Sequence, residues 1–134
     1  MDKVADMLTV IRNAQAAGKP AVAVPYSALK YNIAKILERR GYVGAVEKRN
    51  RKAKKNGKAR PCLEISLKYV DNVPAITGCE KVSRPGQRIY VPASDIKKVK
   101  QGKGIGIIST SKGLMTEYDA KKQNIGGEML CQIW

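Results

Sequence analysis

"IGIISTSKGLMTEYDA", Ile105 to Ala120, decides the fold class. Ile105, Ile107 and Ile108 form an apolar run too short for a helix and bounded by turn-forming residues, which predicts a strand over 105–110. Thr116, with Asp119 three residues on, carries a weaker form of the capping box and predicts a helix starting there. Strand then helix, with short strands on either side and no internal repeat, predicts an α+β chain.

Upstream, Val4, Met7, Leu8, Ile11 and Ala14 share one helical face, with Asp2 as its cap and Gly18 and Pro20 as its stop. "AVAVP", residues 21–25, alternates as a short strand. Ser27 is a suitable N-cap for a second helix, whose expected apolar face is Leu29, Ile33, Ile36 and Leu37. "YVGAVEK" and "PCLEISLKYV" read as strands joined by the long basic hairpin "KRNRKAKKNGKAR", with Asn56-Gly57 as the turn signal. "DNVP", Asp71 to Pro74, reads as a linker between an N-terminal α/β domain, 1–72, and a C-terminal, mostly antiparallel β domain, 73–134. That second domain is expected to hold a strand near Glu80 to Ser83, the turn "RPGQ", the strand "RIYV", a helical turn around Ser94 to Val99, and a closing strand in "GGEMLCQIW".

The charge narrows the function. The chain has 134 residues, of which 43% are hydrophobic, enough for a packed core. Lys and Arg number 26 against 11 Asp and Glu, a formal net charge of +15. Both halves share the excess: sixteen cations to six anions over 1–75, and ten to five over 76–134. Such a surface repels itself unless a polyanion neutralises it, and nucleic acid is the commonest such partner. An anionic membrane comes second, but no apolar run reaches the ~18–20 residues of a spanning helix. The start "MDKVADML" lacks the layout of a secretory signal, so an intracellular protein without a membrane partner is expected. Cys62, Cys79 and Cys131 are widely spaced, odd in number and without any histidine, which predicts reduced, buried thiols, no metal and no cofactor.

Catalysis fits poorly. Ser109 and Lys112 match S-x-x-K, but the companion S-D-N and K-T-G elements of serine acyl enzymes are missing. Gly102, Gly104 and Gly106 satisfy neither dinucleotide nor P-loop spacing, and predict a bent strand or close backbone approach. The acidic residues of the second half are scattered, so no acid/base couple stands out and no enzyme is expected. RNA fits better. Hydroxyls of Ser109, Thr110 and Ser111 can donate and accept toward a ribose, a base edge or a phosphate, Lys112 adds a point charge, and Gly113 allows close approach. Should this run lie directly between a strand end and the helix at Thr116, free N–H groups there would also favour an anion. Against that stands a purely structural reading, in which Ser111 and Thr116 satisfy turn and cap.

From Lys48 to Arg60, eight of thirteen residues are basic, and Arg49, Arg51, Lys52, Lys54 and Lys55 are candidate phosphate contacts. Tyr90 has two readings, a core tyrosine or a ring that stacks on an unpaired base near Arg84 and Arg88. Glu128, after Gly126 and Gly127, could pair with Lys112 or accept from a base amino group. A nonspecific nucleic-acid chaperone using the same basic surface is the alternative function.

"VADMLTVIRNAQ", "VPYSALKYNIAKIL", "KVSRPGQRIYV", "GIGIISTSKGLMT" and "GGEMLCQIW" occur in the order and spacing of ribosomal small-subunit protein eight, bacterial type, which the chain resembles from about Val4 to Trp134. The resemblance implies a two-domain α+β structural protein, cytoplasmic in the ribosome, that binds 16S ribosomal RNA in the small subunit's central domain. It implies specific contacts through Ser109, Thr110, Ser111, Lys112 and Gly113, with Tyr90 and Gly126, Gly127 and Glu128 beside them. Backbone contacts would come from Arg12, Asn13 and Lys30. Neighbouring small-subunit proteins are implied partners, as in some bacteria is the protein's own operon message. The hairpin between Glu47 and Pro61 is longer and more basic than the family pattern, which suggests extra phosphate contact there.

Overall fold

The computed structural model describes residues 2–52 and 58–134. The chain forms two compact units, Lys3–Ala75 and Ile76–Trp134, with Asp2 grouped with the second. Each mixes helix with antiparallel sheet, the α+β class expected.

In the first unit, α1 (Lys3–Ala16) buries Val4, Met7, Leu8, Ile11 and Ala14, the stripe read from the sequence. Helix α2 (Ala28–Arg39) starts at Ser27, whose hydroxyl accepts a 3.1 Å hydrogen bond from the Lys30 N–H. Strands β1 (Ala21–Pro25), β2 (Val43–Lys52) and β3 (Ala59–Leu67) form an antiparallel sheet in the order β1-β3-β2. On the central strand, Leu63 and Ile65 are fully buried. Of the expected α2 face, Ile33, Ile36 and Leu37 are buried and Leu29 is the exception. Leu29 is 40% exposed, while Lys30, Ile33, Ala34 and Leu37 occupy the helical spacing that packs inward. Lys30 keeps only 7% of its surface, and its alkyl stem completes the stripe in place of leucine.

The basic segment is a strand hairpin, as expected, and its strands run further than read: β2 and β3 pair from Val43↔Leu67 out to Lys52↔Ala59. The Asn56-Gly57 turn lies outside the described residues. Asp71 to Pro74, read as a linker, takes part in a tight hairpin. Tyr69–Val70 (β4) pairs with Val73–Pro74 (β5) across Asp71 and Asn72, whose φ angles of 52° and 66° make the mirror-image turn that tight hairpins prefer. The Tyr69 hydroxyl ties this hairpin to its unit by donating to the Lys19 carbonyl at 2.7 Å.

In the second unit the closing strand β10 (Gly127–Ile133) is the spine. Strands β6 (Cys79–Lys81) and β7 (Tyr90–Val91) pair with its two ends along one edge, and β8 (Ile105–Thr110) runs along the other. Strand β9 (Gly113–Thr116), not anticipated from the sequence, folds back onto β8. A short 3-10 turn, Ala93–Asp95, and an irregular turn over Val99–Gly102 precede β8. Helix α3 (Glu117–Lys122) follows β9, with the Thr116 hydroxyl accepting from the Asp119 N–H at 3.2 Å. Ile96, Ile108, Ala120 and Met129 form the packed core beneath the sheet, joined by the half-buried Val82, Val91 and Met115.

Candidate nucleic-acid interface

The register of three strands places residues from three distant parts of the chain side by side. Glu128 on β10 lies opposite Tyr90 on β7 and opposite Ser109 on β8. Directly opposed residues of antiparallel strands project from the same face with Cβ atoms about 5 Å apart, so Tyr90, Glu128 and Ser109 form one row. Tyr90 is 71% exposed, which overturns the core reading and leaves its ring face available to stack. Glu128 sits lower and pairs with Arg88, not with Lys112. Its Oε2 accepts from Arg88 at 3.1 Å, so one guanidinium is held beside the row.

The loop that carries Arg88 and Tyr90 is braced by a residue the sequence did not single out. Ser83 is fully buried, and its hydroxyl accepts from the Ile89 N–H at 2.9 Å. The Ile89 carbonyl in turn accepts from the Met129 N–H at 2.9 Å, which fixes the loop to β10 one residue beyond Glu128. A lone serine in a polar turn carries no sequence signal of this kind.

Gly126 and Gly127 set the spacing of the row. A Cβ on Gly127 would stand 2.2 Å from the Ser109 carbonyl oxygen, and one on Gly126 would stand 2.5 Å from that of Val91. Their role is close strand packing, which brings Glu128 against its two neighbours.

Ser111 and Lys112 form the two-residue tip of the β8–β9 hairpin, flanked by the paired Thr110 and Gly113. Thr110 acts as a structural hydroxyl: it donates to the Gly113 carbonyl at 2.8 Å and accepts from the Lys112 N–H at 3.1 Å. Ser111 and Lys112 are exposed. Gly113 takes a φ of +105°, which glycine adopts without strain, and a notional Cβ there would meet nothing within 4 Å. The hydroxyl run therefore belongs to a strand hairpin and does not abut the N-terminus of α3, which removes the helix-end anion argument. Among the described residues no hydrogen bond joins the Lys112 ammonium to Ser109.

In the first unit, Arg12 and Asn13 stand exposed on α1. Lys30 does not present its side chain to solvent; burial lowers its pKa from the ordinary lysine value, Lys3 adds repulsion and Asp6 partly opposes it. Arg49 is engaged within the sheet, contacting the Glu47 carboxylate and reaching Glu64 at 3.4 Å. Arg51 and Lys52 lie on β2, and Lys54 and Lys55 lie outside the described residues. Beside the hairpin, the Lys48 ammonium sits 4.3 Å from the centre of the Tyr26 ring, and Lys35 lies 5.6 Å from that of Tyr31.

Among the described residues no three potential metal ligands gather. Cys62 and Cys79 are partly buried and Cys131 fully so, with burial pushing the Cys131 thiol up to about 12.

The model of one protein family, described as ribosomal protein S8, matches residues 2–134. The chain belongs to the ribosomal protein S8 family. Among curated relatives it is 44% identical to the small ribosomal subunit protein uS8 of Persephonella marina, covering 99% of this chain and 98% of that protein. It is 45% identical to that of Ectopseudomonas mendocina, covering 99% and 97%, and 48% identical to that of Neisseria meningitidis serogroup C, covering 98% and 96%. The exposed row and hairpin tip on the second unit are thus features of an S8-family protein.

Proposed function

We propose that the chain is a structural constituent of the small ribosomal subunit that binds 16S ribosomal RNA directly, in the central domain, and holds one of its helices in folded shape during assembly. The observation that carries this reading is the Tyr90–Glu128–Ser109 row, set on a rigid sheet beside the exposed Ser111–Lys112 tip. A free aromatic face, a clamped guanidinium, hydroxyls and an ammonium at one sheet end suit a shaped RNA with an unstacked base and ribose hydroxyls. The net charge of +15 supplies affinity through counterion release, with Arg12 and the β2–β3 hairpin as the proposed backbone contacts of the first unit. Neighbouring small-subunit proteins complete the proposed partners, in a cytoplasmic ribosome. Among the described residues no helix is long and apolar enough to cross a membrane.

The test is competition between a structured 16S fragment and generic RNA duplex. Ser111→Ala removes an exposed hydroxyl without disturbing the turn, which Thr110 holds. It should weaken the cognate fragment by about 1–3 kcal/mol more than the duplex. Equal losses on both would show that the tip does not discriminate, as a nonspecific chaperone requires.

A further inference from the structure

The Tyr90–Glu128–Ser109 row occupies one end of β8 and β10, and the opposite end carries a basic cluster outside the sites already described. Lys97, Lys98, Lys100 and Lys103 fall within seven residues and account for four of the ten cations of 76–134. All four are exposed, while Ile96 and Val99 between them are 3% and 4% exposed and pin the segment to the core. A Cβ on Gly104 would stand 2.6 Å from the Ile133 carbonyl and 3.1 Å from Val99, so the loop is pressed onto the end of β10.

The backbone there is unusual. Lys100 and Gln101 take φ angles of 47° and 57°, followed by Gly102 at 89°. Two consecutive non-glycine residues in the left-handed region are strained, and such strain persists where surrounding structure imposes it, often at binding sites. The Lys100 ammonium lies 4.3 Å from the centre of the Trp134 ring. Trp134 is itself fixed, since its backbone N–H donates to the Gly78 carbonyl at 3.0 Å and its carbonyl oxygen accepts from the Thr77 and Gly78 N–H groups at 2.7 and 3.0 Å. Among the described residues no carboxylate lies within ion-pair reach of Lys97, Lys98 or Lys100.

We infer that Lys97, Lys98, Lys100 and Lys103 form a second RNA contact, a rigid ammonium platform that grips the phosphate backbone away from the selective row. This rests on the RNA-binding reading above and extends it. Ser109 and Ile105 are four strand residues apart, about 13 Å at ~3.3 Å per residue, so the two ends reach different parts of a folded RNA. Ammonium groups are compact point charges that suit phosphate without reading sequence, and the platform contributes affinity and orientation but no choice of sequence.

The experiment is RNA filter binding over a salt series with K97Q/K98Q/K103Q, keeping Lys100 because it packs on Trp134. The probes are the structured 16S fragment and a generic duplex, with a thermal melt as the folding control. The slope of log affinity against log salt should become shallower by about 2 for both RNAs, at ~0.7–0.9 per phosphate contact, while the preference between them is retained. The charge-retaining variant K97R/K98R/K103R should keep the wild-type slope. If the triple glutamine variant melts early, K97Q and K98Q singly should each lower the slope by about 0.8. An unchanged slope overturns the inference, and an unchanged slope with poor incorporation into reconstituted subunits would place an acidic protein surface there instead. Loss of wild-type discrimination between the two RNAs would count against the selective row alone, since the slope change is measured on either RNA.

Discussion

Replacing Gly127 by alanine tests whether close packing of β10 on β8 builds the proposed RNA-selective end of the second unit. The added Cβ would lie 2.2 Å from the Ser109 carbonyl oxygen, 2.9 Å from Ile108 Cγ2 and 3.0 Å from the Ser109 carbonyl carbon. The nearest obstacle is backbone, so no rotamer change relieves it. An ordinary carbon–oxygen contact needs about 3.3 Å, so the strands must separate locally by about 1 Å. Overpacking of this kind costs about 1–3 kcal/mol, and stretching one or two ladder hydrogen bonds adds about 0.5–1.5 kcal/mol each. We expect a total loss near 2–4 kcal/mol by urea unfolding of the full chain, together with a narrowed preference for the 16S fragment as Ser109 moves from Glu128. Gly113→Ala is the contrast: it meets no atom within 4 Å and should cost only the strain of a positive φ, about 1 kcal/mol. If Gly127→Ala matched wild type in both stability and selectivity, the packing argument would be wrong.

Other substitutions probe single links. Ser83→Ala leaves the Ile89 N–H without its buried acceptor and should cost about 1–3 kcal/mol while loosening the loop that carries Arg88 and Tyr90; denaturant unfolding checks the first and RNA competition the second. Lys30→Met replaces a desolvated ammonium by an apolar chain and should raise stability by on the order of 1 kcal/mol near neutral pH. Because folding lowers the Lys30 pKa, wild type should also gain stability as pH rises through the folded value toward 10.5, and the variant should lack that gain; a destabilised variant would show that the ammonium has a favourable partner. Glu38 is held below the usual carboxylate range, first by the Val46 N–H at 2.9 Å and then by Lys35. Its contribution is present above the unfolded carboxylate pKa and is lost as pH falls through the depressed folded value, so Glu38→Gln should flatten the acid limb of stability against pH.

The helices and the long strands were legible because each buries a periodic face: the α1 stripe, the Ser27 cap and the Leu63–Ile65 alternation follow from local spacing. Strand β9 was not, since its four residues are too few to show a period and its partner β8 supplies the reason for its conformation. Leu29 and Lys30 exchanged roles because a lysine stem can fill an apolar stripe, which residue type alone hides. The individual candidate residues could be named from chemistry and resemblance. Their assembly into the Tyr90–Glu128–Ser109 row could not, because it arises from the register of strands that lie far apart in the chain. The same holds for the Arg88–Glu128 pair, which spans forty residues.

The central claim, that the sheet end bearing Tyr90, Ser109 and Ser111 selects the RNA, is tested most directly by chemical footprinting of 16S ribosomal RNA with the full chain. Wild type should protect a discrete helix of the central domain, and Tyr90→Ala with Ser111→Ala should erase the protections at its unstacked bases while leaving backbone protections in place. Identical footprints from the wild type and the double variant would contradict the account.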